Sequence, residues 1–202
     1  MANDPMVEVS WYGAAAYCNW RSQKEGLEEC YNLSTWECDF SKKGYRLATE
    51  AEWEYAARSG LSGRRFPWGD TISHTQANYY SHWDEGAPYY PYDVSPTEGY
   101  HPTWNDEVEP YTSPVGSFAA NGYGLYDVAG NVWEWCNDWY SSSYYSSSPT
   151  NNPTGPTGPL TFRVLRGGCW GDDAEDSRVP HRLDDPPNER DNAVGFRVVL
   201  PN

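Results

Sequence analysis

The chain has 202 residues, enough for one domain with a real core, and its formal net charge of −15 argues against general nucleic-acid or anionic-membrane binding, which needs basic patches. No apolar run is long enough to cross a membrane, and the start, MANDPMVEV, does not read as a signal peptide. Aromatic residues reach 16% against 38% for all apolar residues, so rings fill the core more than aliphatics do; frequent glycine and proline predict an irregular, loop-rich α+β domain.

Charge is unevenly spread. Residues 66–162 contain no lysine or arginine but hold eleven carboxylates. Such a block is either a solvated acidic surface or a binder of cations. Five cysteines leave at least one unpaired if disulfides form; Cys30 and Cys38 flank YNLSTWE and either close a small loop or stay free.

In chain order, Val7–Val9 is expected as a short strand, and Ser10 as the N-cap of a helix over Trp11–Gln23. Trp11, Ala14, Ala15 and Cys18 fall at core-facing spacing. Thr49-Glu50-Ala51-Glu52 is a capping box that opens a second helix, with Trp53, Ala56 and Ala57 inward and Gly60 as its stop. RRFPWGD, from Arg64 to Asp70, is a proline–glycine corner, and ANYY, from Ala77 to Tyr80, a short strand or core insertion. The stretch Ser81–Ser113 is a long acidic, aromatic loop, of a length that marks function or support by ions and ring packing.

Asn121–Trp135, NGYGLYDVAGNVWEW, is the most informative stretch. Its glycines permit sharp bends; Asp127, Asn131 and Glu134 supply oxygen; Tyr123, Tyr126, Trp133 and Trp135 supply bulk. It reads as a hub that either holds a cation or spends its carboxylates on capping and hydrogen bonds around buried tryptophans. Tyr140–Pro159 is a surface loop or internal linker. Phe162–Leu165 and Gly195–Leu200 are alternating strands. Between them, Arg166–Val194 has too few apolar residues for strand or helix and is expected as an exposed set of loops.

GYRLATEAEWEYAARSG, RRFPWGD, ANYY, PVGSF, NGYGLYDVAGNVWEWCNDWY, RVLRGGCW and VGFRVV occur in one order. Together they resemble the formylglycine-generating enzyme (sulfatase-modifying factor) family, from about Val7 to Leu200. The resemblance implies a variant C-type lectin fold over residues 1–202, two helices and short antiparallel strands, without the family's N-terminal segment.

Oxidase members of that family bind copper through two cysteines five apart, just after an RGGSW-type motif. Paired thiolates suit Cu(I), a soft ion. Matched to this chain, those positions are Asp172 and Ser177, so no copper is expected. Cys169 stands where the family usually has serine, and Cys136 is the other thiol considered as its neighbour in space. His74, His82, His101 and His181 show no metal spacing, no serine sits in a nucleophile elbow, and Asp172 with His181 reads as solvated polarity rather than an acid–base pair.

Arg166, Arg178, Arg182, Arg190 and Arg197 form a frame able to brace the loops through bidentate pairs. The frame is similar to that of the variable proteins of diversity-generating retroelements, which present a changeable C-terminal surface and bind ligands without catalysis. Their changed positions arise from asparagine-type codons mutated at adenines, which fits the intervals here, with Glu175 and Glu189 as fixed positions. The resemblance implies a ligand-binding surface of Trp170, Gly171, Asp172, Asp173, Asp176, Ser177, His181, Leu183, Asp184, Asp185, Asn188, Asp191 and Asn192. A protein or other surface molecule is the expected ligand, with no nucleic acid and no membrane insertion, at a cell or virion surface. The alternative is an oxidase-like enzyme with an altered active site.

Family relatives also bind calcium. Matched residue by residue, the ligands here are Asp127, the carbonyls of Gly130 and Val132, and Glu134. Hard carboxylate and carbonyl oxygens suit that ion. A second site would use Asn78 with Asp106, Glu107 or Glu109.

Overall fold

The structure is a computed structural model that describes residues 3–201. Its first helix, α1, runs Trp11–Lys24, with Ser10 Oγ accepting the Gly13 N–H at 3.1 Å and Arg21 and Lys24 in its last turn. Both features complement the unpaired groups at helix ends. Trp11, Ala14, Ala15 and Cys18 face the core, as their spacing predicts. Val7–Val9 is not a strand. The backbone turns at Glu8 (φ 56°), and the Val9 carbonyl instead accepts the Trp135 indole N–H at 2.9 Å.

A two-residue strand, β1 (Arg46–Leu47), leads into α2 (Glu50–Arg58). Both halves of the Thr49–Glu52 capping box form. The helix ends one residue before Gly60, at Ser59 in the left-handed conformation. The long acidic loop carries one small hairpin, β2 (Trp83–Asp84) with β3 (Ala87–Pro88). Of ANYY, Ala77, Asn78 and Tyr79 are inserted into the core and only Tyr80 bridges, to Asp173.

The longest strand is β4, Trp133–Trp139, and it follows directly on the glycine-rich bend. It pairs antiparallel with β5 (Arg163–Arg166), which pairs with β6 (Leu183–Asp185). On its other edge β4 takes β7 (Val194–Gly195) in parallel, giving the order β6-β5-β4-β7. The last strand, β8 (Val198–Val199), pairs with β1. Two expectations need correction here. Leu183, Asp184 and Asp185 form a strand despite having one apolar residue, because β5 offers its edge. Gly195–Leu200 is two strands, because Phe196 and Arg197 carry the chain from one sheet to the other.

The central sheet is covered on both faces. Trp133, Trp135 and Leu165 pack with Trp11, Ala14, Ala15 and Cys18 of α1. Cys136 and Val164 pack with Trp53 and Ala57 of α2. Two buried indoles find acceptors across the sheet, Trp11 donating to the Cys136 carbonyl at 2.9 Å and Trp53 to Glu134 at 2.6 Å, whereas the Trp170 indole N–H is buried without a partner.

Glu50, the first residue of α2, is 1% exposed. Its backbone N–H is accepted by Asp138 of β4 at 2.8 Å. Its carboxylate receives Arg182 through two bonds of 2.5 and 2.8 Å, and Arg166 of β5 lies 3.5 Å away. Arg166 also binds Glu54 and the His181 carbonyl. One carboxylate therefore ties α2 to β5 and to the segment entering β6. Glu50→Gln leaves buried arginines short of charge, a loss of about 3–5 kcal/mol. Urea unfolding should show it, while Arg21→Ala, which breaks an exposed pair with Glu25, leaves the midpoint nearly unchanged. Equal midpoints for the two variants would remove Glu50 from this role.

Candidate functional site

Gly167 and Gly168 (φ 106° and 77°) turn the chain out of β5. A Cβ on Gly168 would lie 2.9–3.0 Å from the backbone of Asp176 and Ser177, so only glycine lets the loop close on itself. The loop then docks on the two stretches before it. The Trp170 N–H donates to the Asn131 carbonyl at 2.9 Å, and the Tyr80 N–H donates to the Asp172 carbonyl at 2.9 Å. The Asp172 carboxylate accepts the Trp133 indole N–H at 2.6 Å.

Most of the expected ligand-facing residues are at the surface. Gly171, Leu183, Asn188 and Asp191 are exposed, and Asp172, Asp173, Asp176, His181, Asp184, Asp185 and Asn192 are half-buried. Two are not. Trp170 is 6% exposed and packs on the rings of Tyr100 and Tyr111, and Ser177 is 1% exposed with no hydrogen-bond partner for its hydroxyl. Both serve the interior, because the glycine turn draws that part of the loop inward.

The frame arginines anchor the loop to the scaffold. Arg166 and Arg182 reach α2, Arg197 grips Glu134 of β4 through two bonds, and Arg178 alone pairs within the loop, with Glu175. Arg190 is exposed.

Carboxylates crowd one end of this surface. Burial, together with Asp172, Asp173 and Glu175, pushes the Asp176 carboxyl up to about 6. His181 Nε2 lies 3.2 Å from Asp176, but burial and the charge of Arg178 lower its pKa, so at neutral pH this contact is not an ion pair. The residues flanking the β2–β3 hairpin complete the surface: His82 lies 3.4 Å from Asp173, and the Tyr90 hydroxyl meets Glu175. Sequence spacing carried no sign of these two, since they join the site only through the Tyr80–Asp173 bridge.

Cys136 and Cys169 lie in different core clusters, and only Cys169 reaches a copper position, its thiol hydrogen-bonding the Asp172 carboxylate. Cys136 packs among Ala48, Trp53 and Val164, and Cys169 belongs to the other core cluster, with its sulfur accepting the Gly171 N–H. All five cysteines are free, Cys30 and Cys38 included.

The hub stretch makes a left-handed bend at Asp127 (φ 54°), Gly130 (φ 72°) and Asn131 (φ 70°). Asp127 accepts the Gly116 N–H at 2.6 Å with one oxygen, while its other oxygen is buried without a partner, and burial raises its pKa. Arg197 stands between the two carboxylates: it holds Glu134 and donates to the carbonyls of Tyr126 and Asp127. The Gly130 carbonyl accepts the Val132 N–H at 3.1 Å. Asn78 is buried and donates to the Tyr111 carbonyl and Asn131, whereas Asp106, Glu107 and Glu109 are exposed. Among the described residues no three His, Cys, Asp or Glu side chains form a metal-ligand group, so a cation at the hub would rely on backbone carbonyls.

Asp176 gives a testable sign. Its folded pKa, about 6, lies above the unfolded value of 3.8, so its contribution to stability is complete below 3.8 and is lost as pH rises through 6. His181, with a lowered pKa, acts in the opposite sense over part of that range. The difference in stability between wild type and Asp176→Asn should therefore change between pH 4 and pH 7, read by urea midpoints. A constant difference would place Asp176 in ordinary solvent.

Residues 1–201 match the model of the sulfatase-modifying factor enzyme 1-like domain. The chain is 39% identical over 98% of its length to the formylglycine-generating enzyme of Streptomyces coelicolor, and spans 52% of that protein. It is 36% identical over the same share to the serine/threonine-protein kinase pkn1 of Chlamydia caviae, of which it spans 24%. Among solved structures it superimposes on Treponema denticola variable protein 1 with a TM-score of 0.72 and 30% identity, covering 97% of this chain and 70% of that one. The α+β architecture with little regular structure is the C-type lectin-like one these relatives share. The chain belongs to the sulfatase-modifying factor (formylglycine-generating enzyme) family.

Proposed function

We propose that the chain is a non-catalytic binding domain that presents the surface between Gly171 and Asn192 to a protein or other surface ligand. The observation that carries this reading is the fate of the two copper positions. Asp172 offers a hard carboxylate already engaged by Trp133, and Ser177 is sealed in the interior, so neither supplies the soft thiolate that Cu(I) takes. The likeness to Treponema denticola variable protein 1 supports the retroelement type of binding domain, with the substitutable side chains lying between the arginine anchors. Cu(I) titration under reducing conditions, with a cysteine-containing peptide and oxygen, should show no stoichiometric tight uptake and no aldehyde. Tight one-to-one uptake with peptide oxidation would establish the oxidase-like alternative, which the similarity to formylglycine-generating enzymes supports.

Calcium is proposed as a structural ion of the hub, held by Asp127, Glu134 and the carbonyls of Gly130 and Val132. The unpartnered buried oxygen of Asp127 supports it, since such an atom needs a cation or a donor. Arg197 competes for Glu134, so the ion has to share that carboxylate. At about a hundredfold excess over its Kd, calcium would stabilise the domain by about 2.7 kcal/mol. The melting temperature should rise with calcium and fall with chelator, and Asp127→Asn should abolish most of the difference. Identical melting in calcium and chelator would refute the site.

A further inference from the structure

Buried or half-buried arginines in this protein have carboxylate partners: Arg46 with Glu52, Arg166 and Arg182 with Glu50, Arg197 with Glu134. Arg163, 4% exposed, is the exception among the described residues. Its guanidinium lies between two indoles, 3.6 Å from the ring centre of Trp11 and 3.5 Å from that of Trp139. It donates to the Asn137 carbonyl at 2.5 Å, and its Nε is buried without a partner. The rings hold the cation in place, since indole faces attract it, but they do not neutralise it. The neighbouring acid, Asp138, points its carboxylate to α2 and is itself pushed by burial up to about 7, which makes it a weak counter-charge.

Arg163 lines a cleft of about 890 Å³, a volume in the range of small-molecule sites. Tyr31, Trp36, Phe40 and Trp139 give it aromatic walls, and the loop carrying Thr157 and Gly158 closes one side. That loop is fitted closely: a Cβ on Gly158 would lie 1.8 Å from the Trp139 indole nitrogen. The lining also carries the carboxylates of Glu29, Glu37 and Asp39, and the ammonium of Lys42, which pairs with Glu28. None of the lining residues comes from the surface between Gly171 and Asn192.

We propose that this cleft binds a small organic carboxylate with a flat, apolar body, its carboxylate seated on Arg163 and its body against the aromatic walls. A multiply charged anion such as a phosphate is disfavoured by the acids of the lining. An amino group on the ligand is favoured by the same acids, which makes aromatic amino acids chemically suited. With Nε sealed and one Nη N–H given to the Asn137 carbonyl, the remaining Nη N–H groups are the donors left for the carboxylate, and these charge-assisted bonds supply orientation.

Three indoles separate the contributions: indole-3-propionate carries the carboxylate, tryptamine the amine, and L-tryptophan both. Calorimetric titration of the full chain should show saturable binding of indole-3-propionate and L-tryptophan, and tryptamine about tenfold weaker or worse. Arg163→Met should abolish binding, but it removes a core cation and can unfold the domain. Thr157→Trp is the second variant: Thr157 is exposed, so melting should be unchanged while the added ring fills the cleft and weakens indole-3-propionate at least tenfold. Tryptamine binding as tightly as indole-3-propionate, affinity unchanged in a folded Thr157→Trp, or no saturable binding at millimolar ligand would each overturn the proposal.

Discussion

A carboxylate hidden at the start of a helix holds this domain in its working shape. Glu50 sits where the partial positive charge of α2 favours an anion, and two arginines from the opposite end of the chain converge on it. The arrangement is costly to bury and costly to break, because each member left alone would be a charge out of water. Its result is geometric. The segment from Gly167 to Asn192 contains little regular structure, yet its entry at Arg166 and its return at Arg182 are fixed to a helix formed far earlier in the sequence. Arg197 repeats the device on Glu134 of β4.

The parts of the fold that were legible in the sequence are those decided locally. Thr49–Glu52 announced α2 because a capping box is a reciprocal bond within four residues. Trp11 and the alanines announced the buried face of α1 because helical spacing is short-range. What was not legible depended on partners distant in the chain. Leu183–Asp185 is a strand only because β5 has an edge to offer, and nothing in three residues with two aspartates says so. In β4, Trp133 and Trp135 were visible as bulk but not as part of a strand, since the glycines before them suggested a turn alone. Val7–Val9 carries strand-forming residues and finds no strand to pair with.

The candidate surface divides the same way. Its polar intervals were readable as exposed, and Asp173, Asp184 and Asn188 do reach solvent in whole or part. Trp170 and Ser177 are drawn inward by a closure that only the Gly168 contact reveals. His82 and Tyr90 come from the acidic loop and meet the surface through the bridge of Tyr80 to Asp173, residues far apart in sequence and beyond the reach of any spacing rule. Asp127 and Glu134 were readable as a pair, but not the guanidinium of Arg197 placed between them.

The arginine anchors also divide the labour of the C-terminal segment. The bonds from Arg182 and Arg197 end on α2 and β4, and the side chains of Asp184 and Asn188 take no part in them. Sequence change at those positions is thus mechanically insulated from folding: a new side chain there alters the face without loosening its mount. On the proposed binding role, such a mount lets many side-chain chemistries occupy one chassis, and a library randomised between the anchors would be sorted by what it meets rather than by whether it folds.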